Sequence, residues 1–587
     1  MSGVLNRLLA RASGVTLAPA PTAEPETLFP ARVPSHAAAR PRDYVWEADA
    51  PLLELSAGDA WRVKDAFEGT QILGSPGSGK TSGSGKAIAQ AFLSAGFGGL
   101  VLCAKVDERA RWERYCAETG RTDSLIVFDE GGSRRFNFLH YEMARQGLGR
   151  ADPSDVVALL LTLLDATEAQ GSQYQRDSFW RHATGQLLSN AIALLWSAYG
   201  RLEIDTLFRL IRDRPTSRAQ AKDASWRSDS FWAKTIDQCA NAPSHPLPPE
   251  DLEAIRDYWE TVLAQEDQRT SGNIVATVSA QLHRFQTGLL RQLFCTTTNV
   301  LPELTHEGAI LVIDLPVKEG SASFRMAQHI FKYLWQRSVE RRPPDKTSRP
   351  VFLWADECQF FVSPYDNHFQ STARSARACT VFLTQSLPAY YEQIGAQKPE
   401  HATDSLLANF QTKIFHASSC PKTNQWAADL IGKSVQRRRN WSWGSSDGST
   451  DGTSYGETSG DSSSVARGTS TNRGESRGWG HGWSGGFKNH NTHFNSGETR
   501  GDGTSETVTE GTSSGENWSR SRSRTESVSR NAGVTEVIDY QVQPAAFTTL
   551  RKGDRENGYQ VDGVVFQGGR VWRHSGSTWL PCVFSQV

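Results

Sequence analysis

Residues 74–81, GSPGSGKT, have the spacing of a phosphate-binding loop. In the pattern G-x-x-x-x-G-K-[ST] the glycines let the backbone curl round phosphates, the lysine reaches the terminal phosphates, and the hydroxyl residue holds Mg²⁺. Gly74, Gly79, Lys80 and Thr81 occupy the required positions. We therefore predict that ATP and Mg²⁺ bind here, with the nucleotide held by Gly74, Ser75, Pro76, Gly77, Ser78, Gly79, Lys80, Thr81 and Ser82.

A second GSGK, ending at Lys86, does not fit the same pattern. Lys80 stands where its first glycine should be, and Ala87 replaces the hydroxyl residue. The apolar run 71–73 before the first copy predicts a strand, and the run 87–93 after it predicts a helix whose N–H groups face the anion. The alternative is a flexible Gly/Ser turn. The context favours Lys80 as the phosphate lysine and Lys86 as an ordinary basic residue.

The stretch VFLWADE, residues 351–357, supplies the acids that such a loop requires. It reads as an apolar strand ending in Asp356, which we expect to bind magnesium through water, and Glu357, which we expect to polarise the attacking water. A competing strand, ILVID, ends at Asp314. It lacks an adjacent glutamate and is followed by Pro316, so it is ranked lower.

The stretch ARSARACTVFLTQS, residues 373–386, adds an amide and two arginines. Gln385 follows a core strand, where an amide can sense the γ-phosphate or position water. Arg374 and Arg377 precede that strand and could act across a subunit boundary as arginine fingers. A solvated basic helix end is the alternative for both arginines.

Apolar patterning predicts an α/β fold with a mainly parallel sheet. Continuous apolar runs, typical of strands buried on both faces, occur at 70–73, 100–104, 125–128, 309–315, 351–355, 380–383 and 413–415. Between residues 150 and 300 the strand signal gives way to helical periodicity. We predict an all-α domain inserted between the phosphate loop and the Asp-Glu pair.

Composition changes again in residues 441–530, which are rich in Ser, Gly and Thr and contain no Leu, Ile, Met, Cys or Pro. Such a segment buries too little apolar surface to offset ordering, so we predict disorder. Its Trp and Arg residues could bind single-stranded nucleic acid, but acidic residues are at least as frequent, which favours an inert insertion. The predicted organisation is a flexible segment and linker 1–42, core 43–149, helical insertion 150–300, core 301–440, disordered insertion 441–533 and closing strands 534–587.

Overall composition limits the possible classes of protein. The net charge is −1, so any nucleic-acid surface must be local. The 8 cysteines are scattered without a C-x-x-C pair, which predicts neither a zinc site nor a disulfide framework and suits a reducing compartment. No run reaches the roughly 20 apolar residues of a membrane span. We expect a cytoplasmic protein.

In these motifs the chain resembles the TraG/TraD-type coupling proteins of conjugation and type IV secretion, relatives of FtsK- and HerA-like translocases. The matching pieces stand in family order, and Gln-Ser followed by the 421–424 stretch is the most specific of them. They are GSPGSGKT (74–81), LVLCAKVDE (100–108), FDEGGSRRFNFL (128–139), FW (179–180), VFLWADE (351–357), TQSLPAYYEQIG (384–395), PKTNQWAADLIG (421–432) and VQPAAFTTL (542–550).

The resemblance implies a RecA-like ATPase core and a ring of six subunits with ATP at the subunit boundaries. Its cargo would be single-stranded DNA or a relaxase–DNA complex, delivered to type IV secretion components. Carried over by position, Lys80 and Thr81 bind phosphate and magnesium, Asp356 and Glu357 serve metal and water, Gln385 senses the nucleotide, and Arg374 is preferred to Arg377 as the trans-acting finger. Two features depart from the family pattern: transmembrane helices are missing, although a separate membrane partner could supply anchoring, and FNFL replaces the usual proline form.

Three functions are consistent with these residues. The leading one is an ATP-driven DNA translocase of the coupling type. The second keeps the motor but makes it a receptor that delivers effector proteins to a secretion channel. The third is a nucleotide-dependent assembly or regulatory module. Glu357 and the paired arginines favour turnover over switching.

Overall fold

The structure, a computed structural model, describes residues 46–145, 152–167, 178–265, 268–318, 322–394, 396, 398–457, 466–484, 491–511 and 516–587. These residues fall into two compact units. The first comprises the described parts of Met1–Gln425 and Pro544–Val587, and the second comprises those of Trp426–Gln543. The predicted flexible segment 1–42 lies outside the described residues.

A nine-stranded sheet forms the centre of the first unit, in the spatial order β15-β14-β9-β3-β8-β7-β4-β6-β5. Within that order, the strands β9, β3, β8, β7, β4, β6 and β5 run parallel to one another. The hairpin β14–β15 pairs with β9 in antiparallel orientation. The strands are β3 Thr70–Leu73, β4 Gly98–Leu102, β5 Leu125–Asp129, β6 Ile310–Asp314, β7 Val351–Ala355, β8 Ala378–Thr384, β9 Thr412–Phe415, β14 Gln560–Gln567 and β15 Trp579–Ser585. A separate hairpin joins β1 Pro51–Ser56 and β2 Asp59–Arg62.

Most of the parallel strands are buried along their length, which explains their largely apolar sequences. Ile72, Val101, Val312, Phe352 and Val381 share one core cluster under the helices. Every residue of β3, β4, β7, β8 and β9 is buried. A strand covered by helices on both faces cannot alternate apolar and polar residues as a half-exposed strand does.

Helices cover the sheet and form the inserted segment. Within the described residues, no helix is both long enough and apolar enough to cross a bilayer. The helices are α1 Val63–Phe67, α2 Lys86–Ser94, α3 Asp107–Glu118, α4 Phe138–Ala144, α5 Pro153–Thr167, α6 Ser178–Tyr199, α7 Ile204–Arg212, α8 Arg218–Lys222, α9 Ala224–Asp229, α10 Phe231–Asn241, α11 Pro249–Asp257, α12 Leu263–Gln265, α13 Gln268–Leu282, α14 Gly288–Phe294, α15 Ala322–Arg341, α16 Pro364–Thr372, α17 Leu387–Gln393, α18 Pro399–Ala408 and α19 Pro421–Ile431.

The chain between β5 and β6 is helical wherever the structure describes regular elements. Helix α7 illustrates why: Ile204, Leu207, Phe208 and Ile211 recur at helical spacing and are buried, while its first turn carries Asp205. An acid at the start of a helix is stabilised by the dipole. The apolar stripe then packs the helix against its neighbours.

The second unit differs from the sequence prediction. Residues 441–533 were predicted to be disordered, but those that the structure describes form a four-stranded antiparallel sheet in the order β10-β13-β12-β11. Its strands are β10 Lys433–Glu457, β11 Ala466–Ser484, β12 Asn491–Gly511 and β13 Glu516–Tyr540. Residues 458–465, 485–490 and 512–515 of this segment lie outside the described residues.

The prediction of disorder considered apolar burial, whereas these strands are joined by backbone pairing. Backbone pairing runs unbroken from Lys433 opposite Tyr540 to Glu457 opposite Glu516, so the ladder satisfies backbone groups along the whole length. Strands β11 and β12 are paired in the same way, without a shift in register. Their pairing runs from Ala466 opposite Thr509 to Ser484 opposite Asn491.

Candidate active site at the carboxyl edge of the sheet

Five loops meet at one edge of the central sheet because they follow five neighbouring parallel strands. Strands β3, β8, β7, β4 and β6 lie side by side, and each ends at this edge. The loops after them carry the residues singled out in the sequence and several that were not. At this edge, the last paired positions of the five strands are Leu73 with Thr384, Ala355 with Phe382, Leu102 with Ala355, and Leu102 with Ile313.

The loop after β3 has the backbone shape of a phosphate cradle. Gly77 and Gly79 have φ angles of 72° and 84°, a region that favours glycine. A Cβ on Gly79 would lie 2.5 Å from the side chain of Val561, so only glycine fits. Ser78 Oγ is buried without a hydrogen-bond partner, as expected for a polar atom aimed at a ligand.

Lys80 follows this cradle and is 6% exposed. Burial lowers the pKa of its ammonium group, whereas the charges of Asp356 and Glu357 raise it. The lysine therefore faces the two acids predicted to complete the site. Lys86 starts helix α2 instead, with its Nζ 3.5 Å from the backbone carbonyl oxygen of Gln586.

The predicted magnesium residues are in direct contact. Thr81 donates its hydroxyl hydrogen bond to Asp356 Oδ2 at 2.7 Å. The other oxygen, Oδ1, accepts the backbone N–H of Glu357 at 2.9 Å. Arg111 Nη1, from α3, lies 3.7 Å from Asp356 Oδ2. A hydroxyl and a carboxylate oxygen side by side are suited to the shell of a hard cation such as Mg²⁺.

Glu357 is held in place by amides and charge. Its backbone is left-handed, with φ 50°, an uncommon conformation that clusters at functional positions. Gln359 Nε2 donates to Oε2 at 2.8 Å, and Gln385 Nε2 lies 3.1 Å from each carboxylate oxygen. Burial raises the pKa of Glu357, but the Gln359 hydrogen bond and Lys105 outweigh burial and bring the pKa to about 2.

Sequence reasoning missed two lysines and one amide beside Glu357. Lys105 follows β4 and Lys318 follows β6, and both ammonium groups approach Glu357 Oε1, at 3.0 and 3.4 Å. Gln359 also accepts a hydrogen bond from Thr384 through its Oε1, at 2.8 Å. Lys105 lies within LVLCAKVDE, so a signal for it existed in the sequence. The sequence carried no comparable signal for Lys318, which sits in an ordinary-looking loop.

The carboxy-terminal hairpin packs on the phosphate loop, a contact that the prediction of closing strands did not include. Ser84 Oγ lies 2.7 Å from His416 Nε2, while His416 Nδ1 lies 2.8 Å from the backbone carbonyl oxygen of Asp562. A carbonyl only accepts, so Nδ1 carries the proton and Nε2 accepts from Ser84. Gln586 Nε2 donates to Ser82 Oγ at 2.6 Å.

The structure does not bring Arg374 to this site within one chain. Arg374 precedes β8, so it lies at the amino edge of the sheet, where its side chain is 69% exposed and 3.1 Å from Glu68. Arg377 Nη2 donates to the carbonyl oxygen of Trp46 at 2.6 Å, a structural role. The competing acid, Asp314, pairs with Arg109 at 3.3 Å and does not contact Thr81 in the described structure.

Two sets of comparisons with known proteins bear on this geometry. Residues 350–472 match the family model described as the TraM recognition site of TraD and TraG. That segment contains Asp356, Glu357 and Gln385, and the match confirms the resemblance to the TraG/TraD-type proteins. No curated protein sequence matches the chain.

Solved structures extend the likeness beyond that segment. The bacterial conjugative coupling protein TrwBdeltaN70, unbound monoclinic form, matches with a TM-score of 0.50 and 12% identity over 91% of this chain and 89% of that one. Plasmid coupling protein TrwB in complex with ADP and Mg²⁺ matches with a TM-score of 0.48 and 12% identity, over 89% and 88%. VirB4 of Thermoanaerobacter pseudethanolicus matches with 0.36 and 14%, over 66% and 93%. The first of these confirms the predicted RecA-like α/β fold class.

Proposed function

We propose that this chain is an ATP-hydrolysing DNA translocase of the conjugative coupling type. The observation that carries the proposal is the contact between Thr81 and Asp356 at 2.7 Å, with Glu357 held directly beside it. A phosphate loop alone would bind a nucleotide without hydrolysing it. An adjacent buried carboxylate with no backbone role adds the means to hydrolyse it.

The residues divide the reaction between them. Backbone N–H groups of Gly77, Gly79 and Thr81 and the ammonium group of Lys80 would bind the phosphates, and Thr81 with Asp356 would hold Mg²⁺, which supplies neutralisation of phosphate charge. Glu357 orients and polarises a water. An oxygen–phosphorus bond forms between that water and the γ-phosphorus, the bond to the bridging oxygen breaks with its electron pair leaving on ADP, and the water proton passes through Glu357 to solvent.

Gln385 acts in this proposal as a positioning residue that reports on the nucleotide. Its amide lies 3.1 Å from both oxygens of Glu357, so a change at the γ-phosphate that moves Glu357 would also move Gln385 at the end of β8. Strand β8 spans the sheet from this edge to the opposite one. A rigid strand is a suitable connection between the nucleotide and residues at the far edge.

Arg374 belongs to that far edge and is proposed to act in a neighbouring subunit. The Arg374 side chain is 69% exposed, whereas that of its acid partner Glu68 is 22% exposed, so a second copy could approach the guanidinium. Arginine fingers of this kind stabilise charge in phosphoryl transfer. The arrangement requires a closed ring, and six subunits are proposed on the family resemblance.

The cargo and partners follow from the family match. The matched region is named for recognition of TraM, which supports a protein partner of the relaxosome type and DNA, single-stranded or carried by a relaxase, as cargo. Type IV secretion components would receive it. We place the protein in the cytoplasm, peripheral to the inner membrane through such a partner.

The test is ATP hydrolysis by the purified chain with single-stranded DNA, with duplex DNA and with no DNA, using Glu357→Gln as the blank. Stimulation by DNA that disappears in Glu357→Gln is the expected result. Turnover that ignores DNA would instead favour an effector-protein receptor or an assembly module. No turnover under any of the three conditions would contradict the motor.

A further inference from the structure

Two lysines from separate loops converge on a single oxygen of Glu357. Lys105 Nζ lies 3.0 Å and Lys318 Nζ 3.4 Å from Oε1. Both side chains are 34% exposed, whereas that of Glu357 is 1% exposed. The ammonium groups therefore lie between the buried carboxylate and the open side of the site.

Glu357 is also held by groups other than these lysines. Gln359 and Gln385 already donate to its carboxylate, and its left-handed backbone is fixed by the turn after β7. Each ammonium group has three donors, and one contact with Oε1 leaves the others to be directed elsewhere. A lysine on a flexible stem can move to a new anion without leaving Glu357 buried and unpartnered.

Positive charge is in excess around the two acids. Lys80, Lys105, Lys318 and Arg111 surround Asp356 and Glu357 within electrostatic range. Arg111 is already paired with Asp107 at 2.5 Å, and burial raises the pKa of the Glu108 carboxyl well above its usual range, so three lysines remain against the carboxylates of Asp356 and Glu357. A cleft with such an excess attracts a multiply charged anion.

We propose that Lys105 and Lys318 are further catalytic residues that bind the terminal phosphate of ATP and stabilise the charge that builds on it during transfer. The proposal rests on the ATPase function proposed above. Lys80 approaches from the phosphate loop, while Lys105 and Lys318 approach from the ends of β4 and β6. Glu357 and its water would then face a phosphoryl group held by three ammonium groups.

The opposing interpretation is that the lysines only position Glu357. The two interpretations predict different effects on the binding of ATP and ADP. A residue that contacts the γ-phosphate affects binding of a triphosphate and not of a diphosphate, whereas a residue that only holds Glu357 affects turnover and neither affinity.

The experiment measures Kd for ADP and for a non-hydrolysable ATP analogue, together with kcat, in Lys105→Ala and Lys318→Ala. Lys86→Ala is the matched control, and Lys318→Arg tests rescue by a retained charge. We expect each alanine variant to weaken analogue binding about tenfold, with ADP affinity changed less than about twofold, and to lower kcat roughly 10²-fold.

Equal changes for ADP and the analogue, or a lower kcat with both affinities unchanged, would overturn the proposal. Thermal unfolding of each variant separates these results from misfolding, and Lys318→Arg provides a second folded variant. Failure of the proposed ATPase function is distinguishable, because the wild-type chain would then show no turnover and Lys80→Ala would bind the analogue as the wild type does.

Discussion

Thr81 Oγ1 and Asp356 Oδ2 lie 2.7 Å apart although 275 positions separate them in the chain. The contact joins the loop after β3 to the loop after β7, two strands that flank β8 in the sheet. Parallel strands bring their carboxyl ends to one edge, so the two halves of the site are aligned by the sheet itself. The sheet thus positions the hydroxyl and the carboxylate side by side.

Thr81→Val should remove the hydroxyl while keeping the shape of the side chain. We expect kcat for ATP to fall at least about 10²-fold, and the Mg²⁺ concentration for half-maximal activity to rise. Thr81→Ser keeps the oxygen and serves as the matched control. Hydrolysis measured across a magnesium titration checks this, and an unchanged magnesium requirement in Thr81→Val would remove Thr81 from the metal site.

The two GSGK copies give a direct test of which lysine binds phosphate. Lys80→Ala should lower kcat/KM roughly 10²–10³-fold, because Lys80 is buried facing Asp356 and Glu357. Lys86→Ala should retain most activity, because Lys86 contacts only the carbonyl of Gln586 among the interactions described. Steady-state ATP hydrolysis decides between them, and equal losses would refute the assignment of the first copy.

Gly79→Ala tests the close packing of the phosphate loop against the carboxy-terminal hairpin. The new Cβ would meet Val561 at 2.5 Å in a backbone with φ 84°, so we expect destabilisation by about 2–4 kcal/mol and loss of nucleotide binding. Gly77→Ala shares the positive φ but has nothing within 4 Å of its Cβ. It should cost only the conformational strain of about 1–2 kcal/mol.

Adding Val561→Ala to Gly79→Ala separates the clash from the strain. The double variant should recover part of the stability that Gly79→Ala loses, giving a favourable coupling in a double-mutant cycle followed by urea unfolding. Strict additivity would show that Val561 does not restrict the loop.

Local sequence was sufficient for the residues whose neighbours in the chain define them. Lys80 and Thr81 lie in one short motif, and Asp356 and Glu357 end one apolar strand, so pattern and spacing were enough to single them out as candidates. Burial on both faces also made the parallel strands recognisable as unbroken apolar runs. Their meeting at one edge follows from the parallel direction alone.

Residues defined by contacts between distant segments were not predictable in this way. Lys318 reaches Glu357 because β6 lies beside β4, a neighbour relation that the order of the strands along the chain does not reveal. Val561 and Gln586 meet the phosphate loop only because β14 pairs with β9. The strands of the sheet β10–β13 are joined by backbone pairing between distant segments, which composition alone does not reveal.

Excision of that sheet tests whether the ATPase core is independent of it. Asn440 pairs with Gly533 in the register of β10 and β13, so residues 441–532 can be replaced by a two-residue Asn-Gly turn that closes the hairpin. Because the sheet belongs to a separate compact unit, we expect the ATPase rate to stay within about twofold of wild type. Lys80→Ala in the shortened chain is the control, and a loss of folding would show that the core needs the sheet.

His416 gives the core a specific dependence on pH. Burial lowers the pKa of its imidazole to about 4 from an ordinary value of 6.5, so the folded state binds fewer protons than the unfolded state between these values. Stability from the neutral ring is present above pH 6.5 and is lost as the pH falls towards 4. Integrated from pH 7 to pH 5, this loss is about 2 kcal/mol.

His416→Gln should remove that part of the pH dependence. The variant is expected to be less stable than wild type at pH 7, because Ser84 and Asp562 lose their fitted partner. The difference in free energy of unfolding between wild type and variant should be about 2 kcal/mol smaller at pH 5 than at pH 7, since only the wild type carries the titrating ring. Urea unfolding at both pH values measures it, and a constant difference would show that His416 does not titrate on unfolding in this range.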